Sequence, residues 1–142
     1  WGLRLPIWMK ASWFKKYGYK VVDKEGIQAL LWKPFTADAV PPKWIGQART
    51  PSVMPNKVTI TTFHNGWCPA QSLAVERARR VAQESELRDK VTLQEIDTFD
   101  PAVFREWGIA DALFVDNKQV RTGPPPSYEK IRKLVVKRTK RL

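Results

Sequence analysis

The chain's one cysteine, Cys68, stands in Asn65-Gly66-Trp67-Cys68-Pro69-Ala70-Gln71, and its one histidine, His64, lies four residues earlier. Proline is at home in the first turn of a helix, where its missing N–H costs nothing, so Pro69 predicts a helix beginning beside Cys68. A sulfur at that point faces unpaired backbone N–H groups and the positive end of the helix dipole, which favour thiolate over thiol. Cys68 is therefore a candidate nucleophile. His64 is a candidate proton acceptor or source of positive potential, and Trp67, Pro69 and Gln71 are the candidate binding residues around them. The plain alternatives are a small, partly buried cysteine and a histidine that merely ends a strand. Asp97 and Asp100 could supply carboxylates, but cap and turn duties account for them. One cysteine and one histidine exclude an internal disulfide and an ordinary Cys/His zinc site, so no metal is expected.

The elements that must carry these residues follow from periodicity. Val58 to Phe63 reads as a strand running into the His64-Asn65-Gly66 loop. Ala74, Ala78, Val81 and Ala82 share one face of a helix that begins at Pro69 and is expected to reach about Leu87. Val91 to Ile96 is a second strand, and Asp100-Pro101 opens a short helix ending before Gly108. Ala112 to Val115 and Gln119 to Arg121 flank the turn Asp116-Asn117-Lys118, and Ser127 caps a last helix from Tyr128 to about Lys137. The order β-α-β-α-β-β-α over residues 57–142 is the chain order of a thioredoxin fold, an α/β architecture. Upstream, Trp8 to Lys16 reads as a helix stopped at Gly18, followed by strands at Tyr19 to Val22 and Ile27 to Trp32. Pro34, Pro41, Pro42, Pro51 and Pro55 then predict an extended linker over 36–56, leaving residues 1–35 as a separate piece.

With 142 residues, 43% of them hydrophobic, the chain has room for one ordinary domain or for a small domain and part of another. Opening on Trp1, with five of its seven tryptophans in the first 44 residues, it is expected to be a piece of something longer, its aromatic surface matched to a partner outside it. No apolar run approaches the ~20 residues that span a bilayer, and no signal-like amino terminus is seen, so a cytoplasmic protein without a membrane partner is expected. The net charge of +11 raises nucleic acid as a partner. Seven basic residues crowd the segment from Lys130 to Arg141, where Ile131, Leu134 and Val135 mark an amphipathic helix with a solvated basic face. Gly123-Pro124-Pro125-Pro126-Ser127 has polyproline character, suited to a recognition element or to a rigid lead into that helix.

Trp67-Cys68-Pro69 resembles the start of the active-site loop of thioredoxins and glutaredoxins, where a second cysteine follows three positions on. Here that position is Gln71, and Asp111 stands where those enzymes place a proline before the third strand. Without a resolving cysteine, the resemblance implies one-thiol chemistry: a mixed disulfide with a small thiol, or a sulfenic acid.

Taken together, these pieces resemble a two-part arrangement, a GNAT-type N-acetyltransferase domain followed by a YoaP-like domain of thioredoxin fold, the second covering roughly residues 57–137. The second part rests on the strand entering a Cys-Pro helix start, on Ile96-Asp97, and on Leu113-Phe114-Val115-Asp116-Asn117-Lys118-Gln119-Val120 leading to Gly123-Pro124-Pro125-Pro126-Ser127-Tyr128-Glu129-Lys130-Ile131. The first rests on Trp13-Phe14-Lys15-Lys16-Tyr17-Gly18-Tyr19-Lys20-Val21-Val22-Asp23, similar to the closing helix and strands of the transferase. The resemblance implies an accessory domain that positions substrate or partner, with acetyl-CoA as cofactor of the parent enzyme. The pyrophosphate loop of that family, Gln/Arg-x-x-Gly-x-Gly/Ala at a helix start, is absent, and its general-acid tyrosine falls at Phe14, so the chain alone is expected to lack transferase activity.

Overall fold

Residues 10–120 and 125–142 are described by the structure, a computed structural model. Over them the chain is mixed α/β, with four helices and two sheets. Trp1, Trp8, Arg121, Gly123 and Pro124 lie outside the described residues. Two compact units divide the chain, Trp1–Ile45 and Gly46–Leu142.

In the first unit, α1 (Ala11–Lys16) carries Lys15 and Lys16 in its last turn, where cations suit the helix dipole. Gly18, at φ +84°, turns the chain into an antiparallel hairpin of β1 (Lys20–Glu25) and β2 (Gln28–Trp32). Trp13 packs on Phe14 and Tyr17 with ring centroids 5.0 and 4.5 Å apart, and Phe14 meets Tyr19 at 5.7 Å. Asp23 accepts from the backbone N–H groups of Trp44 and Lys24, which hold its carboxyl below its ordinary range. None of residues 10–45 is buried, so this helix and hairpin have no core of their own.

The second unit is organised by β3 (Val58–His64), in which every residue before His64 is buried. It pairs in parallel with β4 (Val91–Asp97) and antiparallel with β5 (Ala112–Val115), which pairs antiparallel with β6 (Lys118–Gln119). The order across the sheet is β4-β3-β5-β6. Val58, Ile60, Leu113 and Val115 form one apolar cluster with Ala78 and Val81 of α2 (Pro69–Ala82) and Ile131 and Val135 of α4 (Tyr128–Thr139). Phe63, Ala112 and Phe114 form another with Ile109 and Trp107, the last residue of α3 (Pro101–Trp107). Alternate residues of the central strands thus feed cores on opposite faces, the situation that makes a strand apolar on both sides.

Helix α2 stops at Ala82 rather than near Leu87, and the chain continues through the turns Leu87 N–H to Glu84 C=O and Lys90 N–H to Leu87 C=O. At about 100° per residue, an unbroken helix would carry Leu87 away from the stripe of Ala74, Ala78 and Val81. Ending the helix early buries it with Val91 instead. The proline-rich stretch also departs from a plain extended connector. No helix or strand occurs over 33–57, yet Ala48 N–H donates to Trp107 C=O at 2.9 Å, Arg49 pairs with Glu106, and Pro51 is buried. Residues 46–51 are a strap held to the end of α3.

Three fully buried threonines lie in β3. Thr59 Oγ1 accepts from Met54 N–H at 3.3 Å and Thr61 Oγ1 donates to Gln94 at 3.5 Å, but Thr62 Oγ1 has no partner among the described residues. Thr62→Val removes the orphaned hydroxyl at nearly constant volume and is expected to raise unfolding stability by about 1 kcal/mol. Urea denaturation checks this, and an unchanged or lowered midpoint would contradict it.

Candidate functional site

The parallel pair β3 and β4 ends with His64 and Asp97 side by side in register. Each strand leads into a similar turn. Asn65 Oδ1 accepts from Trp67 N–H at 2.9 Å, and Asp97 Oδ1 accepts from Phe99 N–H at 2.9 Å. A short polar side chain bonding the backbone two residues on is what lets such residues shape a turn, and here both turns project an aromatic ring. Trp67 is 80% exposed and Phe99 67% exposed. With His64, Asn65, Gly66 and Asp97 they line a shallow open hollow of about 450 Å³. Gly66, at φ +77° with open space around it, supplies the left-handed step that returns the chain toward α2.

Asp111, immediately before β5, accepts from Asn65 N–H at 3.2 Å and ties this loop to the neighbouring strand. His64 is half-buried, and its carbonyl accepts from Thr98 N–H at 3.0 Å. Cys68 is the N-cap residue of α2, half-buried, with Pro69 following at the helix start. Its carbonyl accepts from Gln71 N–H and Ser72 N–H at 3.0 and 3.1 Å, while its side chain makes no capping hydrogen bond. No acidic residue stands in the first turn of α2. Asp100 caps α3, its carboxylate accepting from Ala102 N–H at 2.7 Å, which is the structural duty expected of it.

Gln71 turns inward. Its amide nitrogen donates to Phe63 C=O at 3.1 Å and to Ala112 C=O at 2.9 Å, so both amide protons go to the carbonyls of two paired strands. Farther along α2, Arg79 makes a two-pronged hydrogen bond to Glu95 at 2.6 Å in each arm, which holds the Glu95 carboxyl below its ordinary range. That pair fastens α2 to β4.

No family model matches the chain, and no curated protein matches it.

Of the residues singled out from the sequence, His64 and Trp67 line the hollow, whereas Cys68, Pro69 and Gln71 are not among its lining residues. Phe99 escaped the sequence reading altogether. The signal was there in a lone large aromatic between Asp97 and Asp100, in a polar loop where nothing apolar is needed for a core. Asp97, read as a turn former, does form the turn and also borders the hollow. Two exposed rings bordering one hollow with Asp97 and His64 suit contact with an apolar or planar group bearing a polar edge. Among the described residues no group of three or more His, Cys, Asp and Glu side chains is placed to hold a metal ion, and no helix is long and apolar enough to cross a membrane.

Proposed function

We propose that Gly46–Leu142 is a thioredoxin-like module, YoaP-like in its motifs, that holds a substrate or partner for a GNAT-type N-acetyltransferase. In this reading residues 10–35 are the closing helix and hairpin of the transferase domain. The observation that carries binding over thiol chemistry is the fate of Gln71. At the position of a resolving cysteine it braces β3 to β5, so that the loop serves to present Trp67 and Phe99. The strand order β4-β3-β5-β6, with one parallel and two antiparallel pairings, supports the thioredoxin-like assignment. A helix and hairpin without a single buried residue support the transferase assignment, because so small a piece needs another body to pack on.

Acetyl-CoA belongs to this reading as the cofactor of the parent enzyme, and the residues here do not fit it. The chain's one Gln/Arg-x-x-Gly-x-Gly/Ala run, Arg105 to Ala110, closes α3 at Gly108 and leads into β5 instead of opening a helix, and the Phe14 ring, edge-on to Trp13 and Tyr19, has no proton to give. A cytoplasmic setting agrees with the single free cysteine.

The second reading, a monothiol oxidoreductase, is favoured by one observation: a half-buried Cys68 at the start of α2 with no acidic residue in the first turn. Two assays of the chain separate the possibilities. Incubation with acetyl-CoA and a panel of amines is expected to release no coenzyme A thiol, and release above the no-protein rate would sink the claim of inactivity. Reduction of a small glutathione mixed disulfide is expected at equal rates with the wild type and Cys68→Ser. A rate lost in Cys68→Ser would replace the binding reading with the redox one.

A further inference from the structure

The cations of α4 fall into two sets. Arg132 bonds Glu84 at 2.8 Å and Glu86 at 3.3 Å, and Arg138 lies 3.6 Å from Asp116, so both half-buried arginines are tied to carboxylates of the same unit. Lys130, Lys133, Lys137 and Lys140 are exposed, and among the described residues none of them makes a salt bridge. At about 100° per residue these four lysines fall within an arc of about 80°, and Lys133 to Lys140 spans about 10 Å along the helix. Lys140 is the C-cap residue of α4, and exposed Arg141 follows it. Glu129, Arg132, Lys133, Val136, Lys137 and Lys140 border an open groove of about 470 Å³, with Glu129 its one carboxylate.

We propose that this lysine face of α4 binds the phosphate backbone of duplex nucleic acid without reading its sequence. A regular row of uncompensated ammonium groups on a rigid rod matches a regular row of phosphates, and phosphate contacts position a protein without specifying bases. The groove has no aromatic lining for unpaired bases to stack on. Tyr128, the helix's one aromatic, donates its hydroxyl to Glu84 at 2.6 Å and has the Arg80 guanidinium 4.9 Å from its ring centre. A lipid surface is disfavoured because Ile131 and Val135, which an interfacial helix would turn to the bilayer, are fully buried in the core.

The test is fluorescence anisotropy of the chain with a labelled DNA duplex of roughly 20 base pairs and mixed sequence, across a salt series. Contact with three to four phosphates gives a slope of log K against log salt of about −3, the same for a second duplex of unrelated sequence. In the combined variant Lys133→Gln, Lys137→Gln, Lys140→Gln the slope falls toward zero and low-salt affinity drops at least about tenfold. Circular dichroism checks that the fold is kept, as expected when exposed lysines without ion pairs are replaced. A wild-type slope in the variant overturns the proposal. So does equal or tighter binding to the matching single strand, or to vesicles of phosphatidylserine and phosphatidylcholine in equal parts.

Discussion

Gln71→Ala is expected to destabilise Gly46–Leu142 by about 2–3 kcal/mol, a large loss for a residue on the first turns of a helix. Alanine keeps the helix propensity, so the loss comes from the two hydrogen bonds to Phe63 and Ala112. Each is worth about 1 kcal/mol net, and a part-buried carbonyl left without its donor adds a desolvation cost. Urea denaturation measures the loss, with the slope against denaturant unchanged because the surface exposed on unfolding is the same. Gln71→Cys, which installs a second thiol where dithiol enzymes carry one, is expected to lose a similar amount, since a thiol is too short and too weak a donor to reach both strands. Gln71→Glu separates bracing from mere volume. It keeps the length but presents an ionised carboxylate to two carbonyls, and is expected to be the worst of the three at neutral pH. If all three variants unfold like the wild type, the brace contributes nothing, and the argument from Gln71 against thiol chemistry falls with it.

Gln71 also marks where the sequence stops being informative. The helix start at Pro69 is written locally, in a proline at the position where its missing N–H is harmless. The caps are local as well: Ser127 accepts from Lys130 N–H and Asp100 from Ala102 N–H. What Gln71 does depends on Ala112, 41 residues away, arriving beside Phe63, and no spacing rule encodes that. The same limit applies to Leu87, whose burial beside Val91 ends α2 early, because helix phase alone predicts a longer run until the competing tertiary contact is known. At the candidate site, His64 and Trp67 were legible as neighbours of the helix start. Phe99 was not, because the parallel pairing of β3 with β4 is what brings its turn next to Trp67. The basic tail was legible as a charge run, but its division into tied arginines and free lysines depends on carboxylates about 20 to 50 positions away in the chain.

Gly108→Ala is expected to cost about 3 kcal/mol or more, and the reason bears on where the second unit begins. Gly108 ends α3 at φ +66°, its N–H donating to Phe104 C=O at 2.7 Å. A side chain in this left-handed conformation alone costs about 1–2 kcal/mol. An added Cβ would also collide with the carbonyl of Gly46 and press on Gln47 Cα at 3.0 Å, both backbone and unable to rotate aside. The strap would have to lift, giving up the Ala48–Trp107 hydrogen bond and the Arg49–Glu106 pair. Gly66→Ala supplies the comparison, since Gly66 has φ +77° with nothing within 4 Å of its missing Cβ. It should show the conformational cost alone. The difference between the two variants in urea denaturation therefore measures how firmly residues 46–49 are held, and hydrogen exchange at Ala48 should quicken in Gly108→Ala but not in Gly66→Ala. Equal losses in the two variants would mean that the strap yields freely and that the proline-rich stretch is connector throughout. A larger loss at Gly108 makes its second half part of the folded unit, braced through Trp107 against Phe63 one residue before His64.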